Sequence, residues 1–149
     1  MPSCPDCGAA VADDGTCRAM FDELLAHEYA FPEAFGAVHH LTVAAYYLQH
    51  PRGFSRAAID GWRTIIAESL DGLATPAEFL RRARSRSAER VKIRESDAEP
   101  PEGWPRSWSM TVADVVVPPG ETPDADGHTR RVRLWAASIR ETLEKTAPR

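Results

Sequence analysis

The sequence of 149 residues lacks any apolar run long enough to cross a membrane as a helix, which takes about 18 residues or more. Its first residues, MPSCPDCGAAVADDG, include neither a basic stretch nor an apolar core, so they do not predict a signal peptide. The net charge of −4 at pH 7 excludes a surface that is basic over the whole protein. We therefore expect a cytoplasmic protein without membrane contact, for which nucleic acid is not the expected partner.

Cysteine is scarce, and the chain has three such residues, Cys4, Cys7 and Cys17. In a cytoplasmic protein, an odd count that includes a CxxC pair indicates metal or redox chemistry rather than a disulfide scaffold. The stretch CPDCG, residues 4–8, predicts a tight turn that points two thiolates at one ion. A redox dithiol is one alternative, and a small buried Cys17 beside an incidental CxxC is the other.

The rest of the chain predicts helices. Hydrophobic residues make up 43% and charged residues 27%, which is typical of a soluble globular protein. Apolar positions at the helical period, together with capping residues and prolines, predict helices over about 17–29, 33–50, 56–70, 76–90 and 128–145. The predicted fold is all-α, a compact bundle of about five helices with an N-terminal zinc knuckle.

A single domain is expected over residues 1–149. Its predicted parts are a metal knuckle (1–16), a four-helix core (17–94), Pro-rich loops (95–127) and a C-terminal helix (128–146). Trp104 and Trp108 are expected to pin the loops to the body, or to offer a contact to a protein partner. Within the loops, Thr111–Val116 predicts either a short helix capped by Thr111 or a short strand.

Three cysteines leave one ligand missing from a closed tetrahedral zinc site. The candidates are His27, His39, His40, His50 and His128. A short link near residues 32–33 predicts an antiparallel hairpin of the first two helices, in which residues equidistant from the link lie side by side. Cys17 then lies beside His50, and His39 lies near Glu28. The predicted Zn²⁺ site is therefore formed by Cys4, Cys7, Cys17 and His50. His39 is the alternative fourth ligand, and iron is the alternative metal.

A second polar cluster is predicted at the other end of the same helix, formed by Glu28, His39 and Tyr46. A carboxylate beside a histidine fixes the tautomer of the imidazole and raises its pKa, which suits a general base. The cluster is therefore the candidate catalytic site of a metalloenzyme whose reaction the sequence does not specify. A buried histidine that is satisfied by a glutamate is the structural alternative, and it is favoured. Whether the chain is an enzyme stays open.

Basic residues are concentrated between positions 81 and 94, where they are Arg81, Arg82, Arg84, Arg86, Arg90, Lys92 and Arg94. Beside a zinc knuckle, this run suggests a nucleic-acid-binding module. The run has no aromatic residue to stack on bases, and basic residues near the C-terminus of a helix are favourable there in any case. A solvated helix face is therefore the favoured interpretation.

Together these motifs resemble an uncharacterised bacterial family known only as a domain of unknown function. Its members open with a CPxCG knuckle, followed by a Cys at the start of the first helix, an E-Y/W pair and a segment close to VHHLTVAAYxLQHP. The matching positions here are Cys4, Cys7, Cys17, Glu28, Tyr29, His39, Thr42, Tyr46, Gln49, His50 and Pro51. The resemblance supports the metal motif and implies no activity. The leading hypothesis is a zinc-binding helical protein with a structural or protein-interaction role, whose partner is an unknown protein or small molecule and whose oligomeric state is open.

Overall fold

A computed structural model describes residues 2–11, 16–89, 93–118 and 121–146, with the backbone alone over 86–89. The α-helices are α1 (Cys17–Ala30), α2 (Pro32–Phe35), α3 (His39–Gln49), α4 (Arg56–Leu70), α5 (Pro76–Glu89) and α6 (Ala125–Thr146). Within the described ranges, isolated bridges are the only β-structure and no sheet forms. The predicted all-α fold is thus confirmed: five longer helices accompany the single turn of α2.

The helix ends follow the local sequence signals. The hydroxyl of Thr16 accepts a hydrogen bond from Ala19 N at 3.0 Å, and that of Ser55 caps α4 in the same way. Pro32 occupies the first turn of α2, where its missing N–H costs nothing. The predicted second helix, about 33–50, is not continuous, because a 3₁₀ turn over Gly36–Val38 separates α2 from α3. A glycine weakens an α-helix from within, and the change from α-helix to the tighter 3₁₀ turn begins at Gly36.

Helix α3 is the centre of the fold and packs against α1, α4 and α6. Its buried residues lie on nearly every side of its axis: Leu41, Thr42, Ala44, Ala45, Tyr46, Leu48 and Gln49. The longer helices around it contribute one buried stripe each, such as Ile59, Trp62 and Ile66 of α4. An almost wholly apolar helix is stable in water only when it is surrounded in this way.

Long-range hydrogen bonds fasten the loop before α6 to α3. The indole of Trp104 donates to Leu48 O at 2.8 Å, and the side-chain amide of Gln49 donates to Met110 O at 2.7 Å. Trp104 therefore pins the loop, as expected, and its side chain is buried. Thr111 caps a 3₁₀ turn over Val112–Asp114, so the helical alternative for this segment is right and the strand is wrong.

Phe79 and Arg82 connect helix α5 to the body. The ring of Phe79 stacks on that of His40 at 4.5 Å, and Arg82 pairs with Glu68 of α4. Arg81 and Arg84 are exposed to solvent. Of the remaining basic run, Arg94 lies over the ring of Phe54, whereas Arg90, Lys92 and the side chain of Arg86 lie outside the described residues.

Across the described ranges, no helix combines the length and the apolar composition that crossing a membrane would require.

Candidate metal centre

The N-terminal knuckle presents the first two cysteines. The N–H of Gly8 donates to Cys4 O at 2.8 Å, and the N–H of Cys4 donates to Ala9 O at 2.9 Å, so the chain reverses tightly around Cys7. Gly8 has φ of +80°, a left-handed conformation that side chains with a Cβ rarely adopt. The N–H of Ala9 also approaches Cys7 Sγ at 3.4 Å. Both thiols are thereby directed to one side of the knuckle.

The other two members lie side by side at the open end of the α1–α3 hairpin, away from the link between the helices. Cys17 is the first residue of α1. His50 follows the last residue of α3, and its ring Nδ1 donates to Tyr46 O at 2.7 Å. That hydrogen bond fixes the tautomer and turns the free Nε2 towards the cysteines, as carbonyl partners do for histidines that bind metals.

Four ligand atoms converge where the knuckle meets this hairpin. The ligand atoms of Cys4, Cys7, Cys17 and His50 all lie within 4.8 Å of one another. The Sγ atoms of Cys7 and Cys17 are 3.6 Å apart. Nε2 of His50 lies 3.5 Å from Cys4 Sγ and 3.4 Å from Cys17 Sγ. The group could therefore hold a metal ion.

These separations can be compared with the edges of a zinc tetrahedron. Bond lengths of about 2.3 Å to sulfur and about 2.0 Å to nitrogen place neighbouring sulfurs about 3.8 Å apart, and sulfur and nitrogen about 3.5 Å apart. The observed distances of 3.6, 3.5 and 3.4 Å differ from these edges by about 0.2 Å or less. Three of the six edges of a tetrahedron thus match those of a zinc site, and the other three are no longer than 4.8 Å.

The protonation of the buried thiols also favours a cation. The hydrogen bond with Cys17 lowers the pKa of Cys7, and the same bond raises the pKa of Cys17. Cys7 is therefore the sulfur of this pair that ionises more readily. A metal ion would displace the protons that the three thiols still carry, because thiolates and not thiols are metal ligands.

Aromatic rings cover one side of this group. The ring of Tyr46 lies between two others: it stacks on His50 at 4.1 Å and on Phe21 at 4.0 Å. Burial raises the pKa of Tyr46, and the neighbouring Cys17 adds to the effect. Tyr46 therefore belongs to the surroundings of the cysteines. Its predicted place beside Glu28 and His39 is wrong, because it lies two helical turns from His39, about 10 Å along the axis.

Glu28 is the centre of a separate polar cluster and is 2% exposed. Its Oε1 accepts from His39 Nδ1 at 2.8 Å. Its Oε2 accepts from Thr42 Oγ1 at 2.6 Å and from His128 Nε2 at 2.9 Å. Burial by itself raises the pKa of Glu28. The hydrogen bonds from His128, His39 and Thr42 lower it, and their combined effect is larger, so the pKa lies below its usual value. The carboxylate is thus ionised inside the protein.

The two clusters differ in the spacing of their atoms. Contacts of 2.6–2.9 Å around Glu28 are hydrogen-bond lengths, shorter than the edges of a metal polyhedron. His39 is therefore a hydrogen-bond donor to Glu28. The alternative in which His39 is the fourth ligand of the cysteine group does not match the geometry, because the fourth member of that group is His50. His40 is also elsewhere, donating to or accepting from Ser69 Oγ at 2.9 Å.

The model of a family of unknown function, DUF5946, matches residues 2–144. The chain belongs to this family. No curated protein and no solved structure matches it. In this DUF5946 sequence the match covers the knuckle, the hairpin and α6 as far as residue 144.

One member of the polar cluster in this DUF5946 chain was not assigned from the sequence, namely His128. The sequence marks it only as one candidate for the fourth metal ligand. Its position in the first turn of α6, with Val132, Trp135 and Ile139 continuing one apolar stripe, shows that it faces the core. That signal predicts burial, but the partner, Glu28, is a hundred residues away in the chain.

Proposed function

We propose that the protein binds one Zn²⁺ ion through Cys4, Cys7, Cys17 and His50, and that the ion has a structural role. The observation that carries the proposal is the convergence of four ligand atoms within 4.8 Å, with three of their separations matching the edges of a zinc tetrahedron. Four protein ligands occupy every position of such an ion. A closed site of this kind stabilises a fold, whereas a catalytic zinc keeps one position for water or substrate.

The location of the four residues supports a structural role. The short N-terminal segment, residues 2–11, contributes Cys7 and Ala9 to the core but few other buried side chains. A segment of this length has little apolar area with which to hold itself to a bundle. A shared ion would bond it to the start of α1 and the end of α3 at once, and the binding free energy of the metal would become folding free energy.

The ligand set favours zinc over iron. Thiolate and imidazole ligands in a tetrahedral arrangement suit Zn²⁺, and the reduced thiols that the site requires are those of a cytoplasmic protein. Iron bound by three thiolates would absorb visible light, whereas Zn²⁺ has a filled d shell and is colourless. A protein partner would then bind to the surface that the metal helps to fold.

Metal content measured by mass spectrometry on the purified protein tests the proposal. We expect about one zinc ion per chain, retained against a moderate chelator. His50→Gln and Cys17→Ser should each lose zinc to that chelator. His50→Cys should retain zinc, because a fourth thiolate completes a four-cysteine site. His27→Ala is the matched control, since His27 is a partly exposed histidine of α1 that lies outside the cluster.

The pattern of variants decides between ligation and a general effect on folding. If His50→Cys loses the metal as readily as His50→Gln, position 50 is not a ligand. If His50→Gln and Cys17→Ser both keep the full zinc content, the ion is bound elsewhere and the proposed site is wrong.

A further inference from the structure

His39 differs from the other members of the Glu28 cluster in its access to solvent. The side chain of His39 is 33% exposed, whereas those of Glu28 and His128 are 1% and 4% exposed. It is also the first residue of α3, at the surface end of that helix. The imidazole thus has one nitrogen inside the protein and the other at its surface.

The inner contacts determine which nitrogen of His39 carries the proton. An ionised carboxylate only accepts hydrogen bonds, so Glu28 Oε1 requires the proton of His39 on Nδ1. In the neutral imidazole, Nε2 then carries the lone pair, which the Tyr29 hydroxyl approaches only at 3.5 Å. Thr42 and His128 hold the other carboxylate oxygen, so Glu28 cannot rotate away from His39 without breaking their bonds.

One aromatic side chain, that of Tyr29, lies beside the outer nitrogen. The hydroxyl of Tyr29 lies 3.5 Å from His39 Nε2, and the two ring centroids are 5.1 Å apart. Tyr29 is 70% exposed, and Phe31 in the same turn is 58% exposed. Large aromatic residues with this exposure offer a face on which a planar ligand can stack.

We propose that His39 is a reactive imidazole that accepts protons and acyl groups from small aromatic ligands at the turn between α1 and α2. Glu28 acts as a positioning residue, with Thr42 and His128 behind it. The site lies at the opposite end of α3 from His50, about 16 Å along the helix, so it is independent of the metal centre. The reactivity of His39 would be a second function, separate from the proposed structural role of zinc.

The chemical step can be written for an activated aryl ester. The lone pair of His39 Nε2 forms a bond to the carbonyl carbon, and the bond from that carbon to the aryl oxygen breaks, so the aryl oxide leaves with the electron pair. The positive charge on the ring is stabilised by Glu28 through the Nδ1–H bond. Water then hydrolyses the acyl-imidazole, which releases the carboxylic acid and restores the neutral ring.

Hydrolysis of p-nitrophenyl acetate by the purified, metal-loaded protein tests the proposal. We expect His39→Ala to lower the rate at least about tenfold, and Glu28→Gln to lower it by several fold. The loss in Glu28→Gln should fall on kcat and leave KM unchanged, because Glu28 contacts His39 and not the ester. If Glu28 acted only in folding, the folded fraction of Glu28→Gln would retain the wild-type kcat.

His27→Ala is the matched control and should retain the wild-type rate, as His27 lacks a carboxylate partner among the described residues. A second measurement needs no variant. Diethyl pyrocarbonate acylates neutral imidazoles, and peptide mapping should show that His39 is modified about tenfold faster than His27. An unchanged rate in His39→Ala, or equal modification of the two histidines, would overturn the proposal.

Discussion

Replacement of Glu28 by leucine should destabilise the protein by about 2–5 kcal/mol, because three donors lose their acceptor. His128 contributes most: it is 3% exposed, so its Nε2–H finds no water, and a buried unpaired donor costs about 1–3 kcal/mol. Thr42 contributes less, since its hydroxyl also reaches Val38 O at 3.3 Å. His39 is partly exposed and can be satisfied by water. The free energy of unfolding of a small domain is about 5–15 kcal/mol, so the expected loss is a large fraction of the total stability.

Urea denaturation of the zinc-loaded protein at neutral pH measures this loss. Glu23→Leu is the matched control, because Glu23 is an exposed glutamate of the same helix, and its change should stay within about 0.5 kcal/mol of the wild type. The reasoning is refuted if Glu28→Leu is as stable as Glu23→Leu. A stabilised variant would mean that taking the carboxylate out of water costs more than its three hydrogen bonds contribute.

Three further predictions concern other parts of the fold. Burial lowers the pKa of His40 from its ordinary 6.5 to about 4, so the unfolded chain binds the proton first. The unfolding free energy should therefore fall as pH drops from 6.5 to 4, and urea titrations should show a smaller fall in His40→Gln. Phe79→Ala removes the buried ring that holds α5 on His40, which should cost about 3–5 kcal/mol and speed trypsin cleavage within α5, as followed by mass spectrometry. Removal of the metal by a chelator should accelerate hydrogen exchange at the amides of residues 2–11, while those of α4 stay protected.

Local signals in the sequence predict most of the helices correctly. Thr16 and Ser55 mark the starts of α1 and α4, because their hydroxyls satisfy backbone donors that a helix leaves unpaired. The juxtaposition of Cys17 and His50 also follows from local reasoning. A short link between two helices makes them antiparallel, and equal distances from the link then place the two residues side by side.

Contacts between distant parts of the chain could not be obtained in the same way. His128 reaches Glu28 only because α6 packs along α3, and this packing depends on how all the helices share one core. The predicted contact of Tyr46 with Glu28 and His39 fails for a different reason. Its spacing of seven residues from His39 puts both on one helix face, but the rise of about 10 Å between them exceeds the reach of one carboxylate. Angular position alone therefore predicted a contact that axial distance forbids.

X-ray absorption at the zinc edge tests the central claim most directly, because it measures the distances from the metal to its ligands. We expect three sulfur neighbours at about 2.3 Å and one nitrogen at about 2.0 Å, with no water in the coordination shell. A shell made of oxygen and nitrogen, or one with fewer than three sulfurs, would contradict the assignment of Cys4, Cys7, Cys17 and His50 as the zinc ligands.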